Sequence, residues 1–195
     1  MNTVKMIKLE NIFLKKIGLQ ESHYKTFCEI SKVVTFKKKE FLIKEGKICN
    51  FIGILETGII KSFMQKDGID YNNGFYMPNQ FFSAFSSFTK QRPAVSSLQA
   101  MQETRVRIIS FNQLNQLYEN SALWYKFGKY IAEDFYYRKC NRETSLLQET
   151  AVERFDSFIK THPNIEQLIP QYEIASYLNI KPESLSRLKV LTYIK

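Results

Sequence analysis

The sequence predicts an α+β protein: an antiparallel sheet domain in the first half, one long helix, and a short helical domain ending in a helix-turn-helix. Three observations lead there. Short β-rich runs broken by glycine crowd residues 33–110, and strand signals cease after Phe111. Residues 171–188 then space a small residue, a turn residue and an apolar leucine as two steeply crossing helices require. With 195 residues, 44% of them hydrophobic and 14% aromatic, the chain has room for one large packed domain or two small ones.

Residues 1–32 read as amphipathic helix, because Leu14, Ile17, Phe27 and Ile30 recur among charged neighbours. Strands are expected at Val33–Phe36, Phe51–Leu55, Ile59–Phe63, Tyr71–Met77, Ser96–Met101 and Arg105–Ser110, with Gly46, Gly58, Gly68 and Gly74 as punctuation. Lys66-Asp67-Gly68 is a hairpin signal, since Asp-Gly accepts the positive φ of a tight turn. Asn120-Ser121 caps a helix running to about Leu147. Its stripe of Leu123, Trp124, Phe127, Tyr130, Ile131 and Phe135 is wider than one small barrel would cover, so a second copy of the helix is the expected partner. Thr150-Ala-Val-Glu153 is a capping box that starts a new helix, whose apolar face is Val152, Phe155 and Ile159. Thr161-His162-Pro163-Asn164 ends it. The expected divisions are 1–119 for the sheet domain with its N-terminal helices, 120–147 for the long helix and 148–195 for the helical domain.

The last domain carries the strongest pattern. Its first helix spans Gln171 to Leu178, with Ile174 and Leu178 facing inward and Ala175 at the closest crossing. Asn179 takes the turn, Ile180 fills the gap, and Pro182 opens the second helix where its missing N–H costs nothing. Leu185 and Leu188 bury the inner face of a recognition helix over 182–191. The outer face, Lys181, Glu183, Ser184, Ser186, Arg187 and Lys189, has the hydrogen-bonding groups and cations that suit base edges and phosphates, and Gln171 and Tyr172 flank it. Double-stranded DNA is the expected partner.

Bulk charge does not locate that surface. The net charge is +9, but from Gln148 onward six basic residues face six acidic ones, so the excess lies earlier in the chain. That neutrality leaves open a second reading, a sensor or adaptor whose helical tail binds another protein. The three cysteines, Cys28, Cys49 and Cys140, are widely separated and match no metal-ligand spacing. No apolar run approaches the roughly 18 residues of a membrane span, and Met1–Glu10 lacks the apolar stretch of a secretory signal. The expectation is a cytoplasmic protein with no membrane partner. An enzyme is not expected: there is no Gly-rich phosphate loop and no metal cluster, and neither His23 nor His162 has a catalytic partner nearby in sequence.

The stretch Ile169-Pro-Gln-Tyr-Glu-Ile-Ala-Ser-Tyr-Leu-Asn-Ile-Lys-Pro-Glu-Ser-Leu-Ser-Arg187 resembles the C-terminal motif of the cyclic AMP receptor protein/FNR (Crp/Fnr) family of bacterial regulators. Most of the chain follows the order of that family: a glycine-punctuated β-roll of the cyclic-nucleotide-binding and cupin type, a long dimerisation helix, and a DNA-binding domain. The resemblance implies transcription regulation by a homodimer, with RNA polymerase as a further partner. Glu183 and Arg187 match the family's base-contacting Glu and Arg, while Pro182 replaces a further Arg of some members. Lys181 stands where Ser or Thr often caps.

Family members that bind cyclic AMP carry a Gly-Glu pair for the ribose and an Arg-Ser pair for the phosphate. Here the cognate stretches are Met77-Pro-Asn-Gln-Phe-Phe82 and Gln91-Arg-Pro-Ala-Val-Ser-Ser97, and neither pair is present. Arg92 lies about two positions early in this comparison. No cyclic nucleotide binding is expected, and no cofactor. An unidentified small effector would have Phe75, Phe82, Phe85, Arg92, Ser96 and Ser97 as its pocket, unless these aromatics simply fill the barrel. Cupin-type catalysis and haem sensing both need histidines that the sheet region lacks.

Overall fold

The computed structural model of the protein describes residues 9–193. The helical expectation for residues 1–8 and the chain end at Lys195 lie outside them. The described residues divide into two compact units: 9–62 with 75–135, and 63–74 with 136–193. The boundary falls inside the long helix, and a hairpin tip from the sheet region groups with the helical unit. This differs from the three segments expected from secondary structure.

In the first unit, α1 (Leu9–Asn11) runs into a π-helical stretch, Ile12–Ile17, and α2 (Glu21–Ile30) follows. Eight strands come next among the described residues: β1 (Lys32–Phe36), β2 (Phe41–Ile43), β3 (Phe51–Thr57), β4 (Ile60–Lys66), β5 (Ile69–Tyr76), β6 (Phe81–Phe82), β7 (Ser97–Ala100) and β8 (Thr104–Ser110), of which the end of β4 and most of β5 form the hairpin tip of the second unit. They form two four-stranded sheets, β1-β8-β3-β6 and β2-β7-β4-β5. The first is antiparallel throughout, with Val34 opposite Val106 and Ile52 opposite Ile109. Strands β2 and β6 were not anticipated, because runs of three and two residues are too short to show alternation.

Two apolar clusters hold this unit. Inside the roll, Leu42, Leu55, Ile60, Phe82, Leu98, Ala100 and Val106 pack together. Gly53 pairs with Phe82, and a Cβ on Gly53 would come within 2.3 Å of the Phe82 ring, so glycine is what lets that aromatic lie flat on the strand. The second cluster joins helices to the outer sheet face through Phe13, Phe27, Ile52, Phe81, Ile109, Leu114 and Leu117. Between β6 and β7 lies α3 (Phe85–Lys90), and after β8 comes α4 (Phe111–Asn120). The latter starts with a Ser110/Gln113 capping box.

Gly58, between β3 and β4, has φ +97°, and a Cβ there would meet Thr104 Cα at 2.7 Å and the Glu103 carbonyl at 2.8 Å. Both neighbours are backbone and cannot swing away. Gly58→Ala is expected to destabilise the protein by about 2–4 kcal/mol from strain plus overpacking. Gly68→Ala, with nothing within 4 Å of its Cβ, should cost only about 1 kcal/mol, from its positive φ alone. Parallel urea melts measure the difference.

The long helix α5 (Tyr125–Gln148) follows a 3₁₀ turn, Ala122–Trp124, capped by Ser121 Oγ, which accepts from the Leu123 N–H. It begins five residues later than the expected 120 because that turn intervenes. In the second unit the hairpin tip turns through Asp67 (φ 53°) and Gly68 (φ 77°), as the Asp-Gly pair indicated. Helix α6 (Ala151–Thr161) opens with the Thr150/Glu153 capping box, and α7 (Ile165–Leu168), α8 (Gln171–Leu178) and α9 (Pro182–Tyr193) complete the unit. Phe155, Phe158, Ile165, Ile169, Ile174, Leu178 and Leu185 are among its buried side chains.

Candidate nucleic-acid interface

Helices α8 and α9 are joined through Asn179, at φ 56° and ψ 47°, in the left-handed region that asparagine tolerates. The Asn179 N–H bonds to the Ser176 carbonyl and the Ile180 N–H to that of Ala175, which closes the turn. Ala175 is 0% and Leu185 1% exposed, so the small residue and the leucine are both buried, as the spacing predicts. Leu188 is half-buried. Helix α9 starts at Pro182, with the Leu185 N–H bonding to the Lys181 carbonyl.

Burying Leu185 leaves the opposite face of α9 to solvent. Lys181, Glu183, Ser184, Ser186 and Arg187 are all exposed, as are Gln171 and Tyr172 at the start of α8. Two qualifications come from local geometry. Ser186 Oγ donates back to the Pro182 carbonyl at 3.3 Å, so its proton is already engaged. Lys189 turns toward α7 and pairs with Glu166 at 2.6 Å, the two side chains being 23% and 18% exposed. It therefore sits apart from the Glu183–Arg187 face, contrary to its place in the expected DNA-contacting set.

Sequence reasoning missed what supports α8. Ser176 Oγ accepts from the Asn72 N–H and donates to the Asp70 carbonyl, both at 3.0 Å, and Asn72 Nδ2 donates to the Glu173 carbonyl at 3.5 Å. Asn72 and Glu173 are buried. Contacts across about a hundred residues leave no local pattern to find. His162, at the end of α6, bonds to the Phe158 carbonyl through Nδ1, and burial pulls its pKa below the ordinary imidazole value.

The six effector-pocket candidates do not converge on one cavity. Phe82 is sealed within the roll, Phe75 is buried, and Phe85 stacks on Phe135 of α5 at 4.5 Å. Ser97 Oγ accepts from the Glu45 N–H, Ser96 is half-buried, and the Arg92 side chain is exposed. Phe75 and Phe82 are part of the packed interior. A cleft of about 450 Å³ in this unit lies elsewhere, lined by Lys32, Asn50, Phe51, Ile108, Ser110, Asn112, Gln113 and Gln116. Among the described residues no three His, Cys, Asp or Glu side chains are grouped to hold a metal, and no helix is long and apolar enough to cross a membrane.

The expected dimer stripe is also redirected. Trp124, Phe127 and Ile131 are buried against Phe13, Phe27 and Phe81 of the same protomer, with Tyr130 and Phe135 packed beside them. Leu123 alone of that set is exposed. The stripe looked too wide for one barrel because the N-terminal helices that also cover it were not counted.

A sheet roll, a long helix and a helix-turn-helix in this order define the class of protein. Residues 33–121 match the family model of the cyclic nucleotide-binding domain. No curated protein matches the chain in sequence. Among solved structures, FixK2 from Bradyrhizobium japonicum is similar at TM-score 0.70 and 17% identity, covering 85% of each chain. A protein from Eubacterium rectale assigned to the crp/fnr family of transcriptional regulators gives TM-score 0.69 and 14% identity over 95% of this chain and 88% of that one. The c-di-GMP-responsive global regulator CLP of Xanthomonas campestris gives 0.67 and 14%, over 89% and 92%. The chain has the fold of the Crp/Fnr transcription regulators, as the residues around Arg187 suggested.

Proposed function

We propose that the protein is a DNA-binding transcription regulator that works as a homodimer and reads an inverted repeat through α9. The observation that carries this is the free face of α9: Glu183, Ser184 and Arg187 stand in solvent on a helix whose other side is anchored by Leu185. Arg187 is suited to guanine O6 and N7, Glu183 to a cytosine amine. For the dimer, α5 itself offers a surface. Tyr125, Tyr136 and Leu147 recur every eleven residues, nearly in line on a helix, and Tyr136 and Leu147 are 73% and 78% exposed. A dimer of this kind is expected to read half-sites about one DNA turn apart, roughly 34 Å.

Cyclic AMP is not the signal in this reading. The Gly-Glu and Arg-Ser pairs are missing, and Arg92 points to solvent, so a cyclic phosphate would lack its charge-assisted contacts. A protein partner for the helical unit, in a sensor or adaptor that does not bind DNA, is the second reading, favoured by the neutral charge after Gln148.

Selection of genomic fragments by the purified protein, followed by gel shift across salt, separates the two. DNA reading predicts a two-fold symmetric footprint and an affinity whose logarithm falls with the logarithm of salt by about 0.9 per phosphate neutralised. Failure to retard any fragment at low salt would remove the proposal and leave the adaptor.

A further inference from the structure

Helix α8 ends without a cation of its own: its last turn has no basic residue. The closing carbonyls of a helix lack intrahelical partners and carry the negative end of its dipole, so a cation supplied from elsewhere is stabilising there. Two arrive from other helices. Arg142 of α5 lies over the Tyr177 ring, 4.1 Å from its centroid, and its Nη2 donates to the Tyr177 carbonyl. Arg154 of α6 donates through Nε to the Leu178 carbonyl at 3.1 Å and through Nη1 to the Glu149 carbonyl at 2.6 Å, at the α5–α6 junction.

Those two carbonyls belong to consecutive residues, immediately before Asn179, where the chain turns into α9. The planar guanidinium suits this place, because it can stack and donate at once while staying charged. Three helices are thereby tied to the one point from which the reading helix departs. We infer that Arg142 and Arg154 are positioning residues, which fix the angle between α5 and α9 and so the half-site separation that a dimer accepts. The inference rests on the DNA-reading proposal for its consequence, but not for the clamp itself.

The test uses the full chain and the selected inverted repeat, with one or two base pairs added or removed at its centre, beside a duplex holding a single half-site. Arg142→Ala is expected to keep single half-site affinity while its preference for the native spacing falls about tenfold or more, equivalent to at least one decade in Kd ratio. Hydrogen exchange without DNA should accelerate at residues 177–181 and stay unchanged at Ile174 and Ala175. Arg154→Ala provides the same readouts should the first variant fold poorly. Unchanged exchange at the turn, or an equal loss of affinity at every spacing and on the half-site, overturns the inference. If the wild-type protein binds no duplex, the functional proposal fails, and the clamp is judged on exchange alone.

Discussion

Arg187→Ala is expected to weaken binding by about 1–3 kcal/mol per half-site, the value of one bidentate base contact. Tm should not move, because the side chain is exposed and no fold contact is lost. Arg187→Lys separates charge from geometry. A lysine keeps the phosphate attraction and the salt slope but cannot form the planar two-point contact, so discrimination at one base pair should relax. Lys189→Ala is the internal control: its ammonium is held by Glu166, so affinity should change by less than about 0.5 kcal/mol. Competition titrations against single-base variants of the selected site measure all three. An Arg187→Ala protein that binds and discriminates like wild type would remove α9 as the reading element.

The largest stability effect is expected at Phe127. Its side chain is 0% exposed, and its ring lies 5.4 Å from Phe13, 5.5 Å from both Phe27 and Phe81, and 6.1 Å from Trp124. These neighbours come from three separate regions of the first unit, and none can close over the hole alone. Phe127→Ala should therefore cost about 3–5 kcal/mol, a large share of a typical total of 5–15 kcal/mol. Urea unfolding followed by tryptophan emission suits the measurement, since Trp124 lines the same cluster. A loss below about 1 kcal/mol would mean that the cluster repacks freely. Leu147→Ala should leave the stability of the single chain nearly unchanged and weaken the proposed self-association instead, which sedimentation velocity would detect.

The helical unit was legible because its signals are local. Capping at Thr150, the left-handed Asn179 and Pro182 at the head of α9 each act over three or four residues, and all three stand where the pattern put them. Six of the eight strands were legible for the same reason, through alternation and glycine spacing. What the residues could not disclose was which apolar face meets which. Phe127 and Ile131 look alike whether they meet a second copy or the protomer's own Phe13 and Phe27, and only the fold decides. The same holds for Lys189: spacing places it near Arg187 on α9, while the ion pair with Glu166 draws it away. Arg142 and Arg154 carried no motif, since their targets are backbone carbonyls that any sequence would supply.

The hairpin tip that crosses from the sheet region into the helical unit bears on how such a protein can be taken apart or recombined. Its Asn72 donates through the backbone N–H to Ser176 Oγ and through Nδ2 to the Glu173 carbonyl, two acceptors on α8 that would otherwise be offered to water. A fragment beginning at residue 136 would therefore shed an essential piece of its own architecture and should fold less well than its length suggests. Grafting the helical unit onto another protein is expected to succeed only if residues 63–74 travel with it, since a cut in the chain order alone would leave that piece behind.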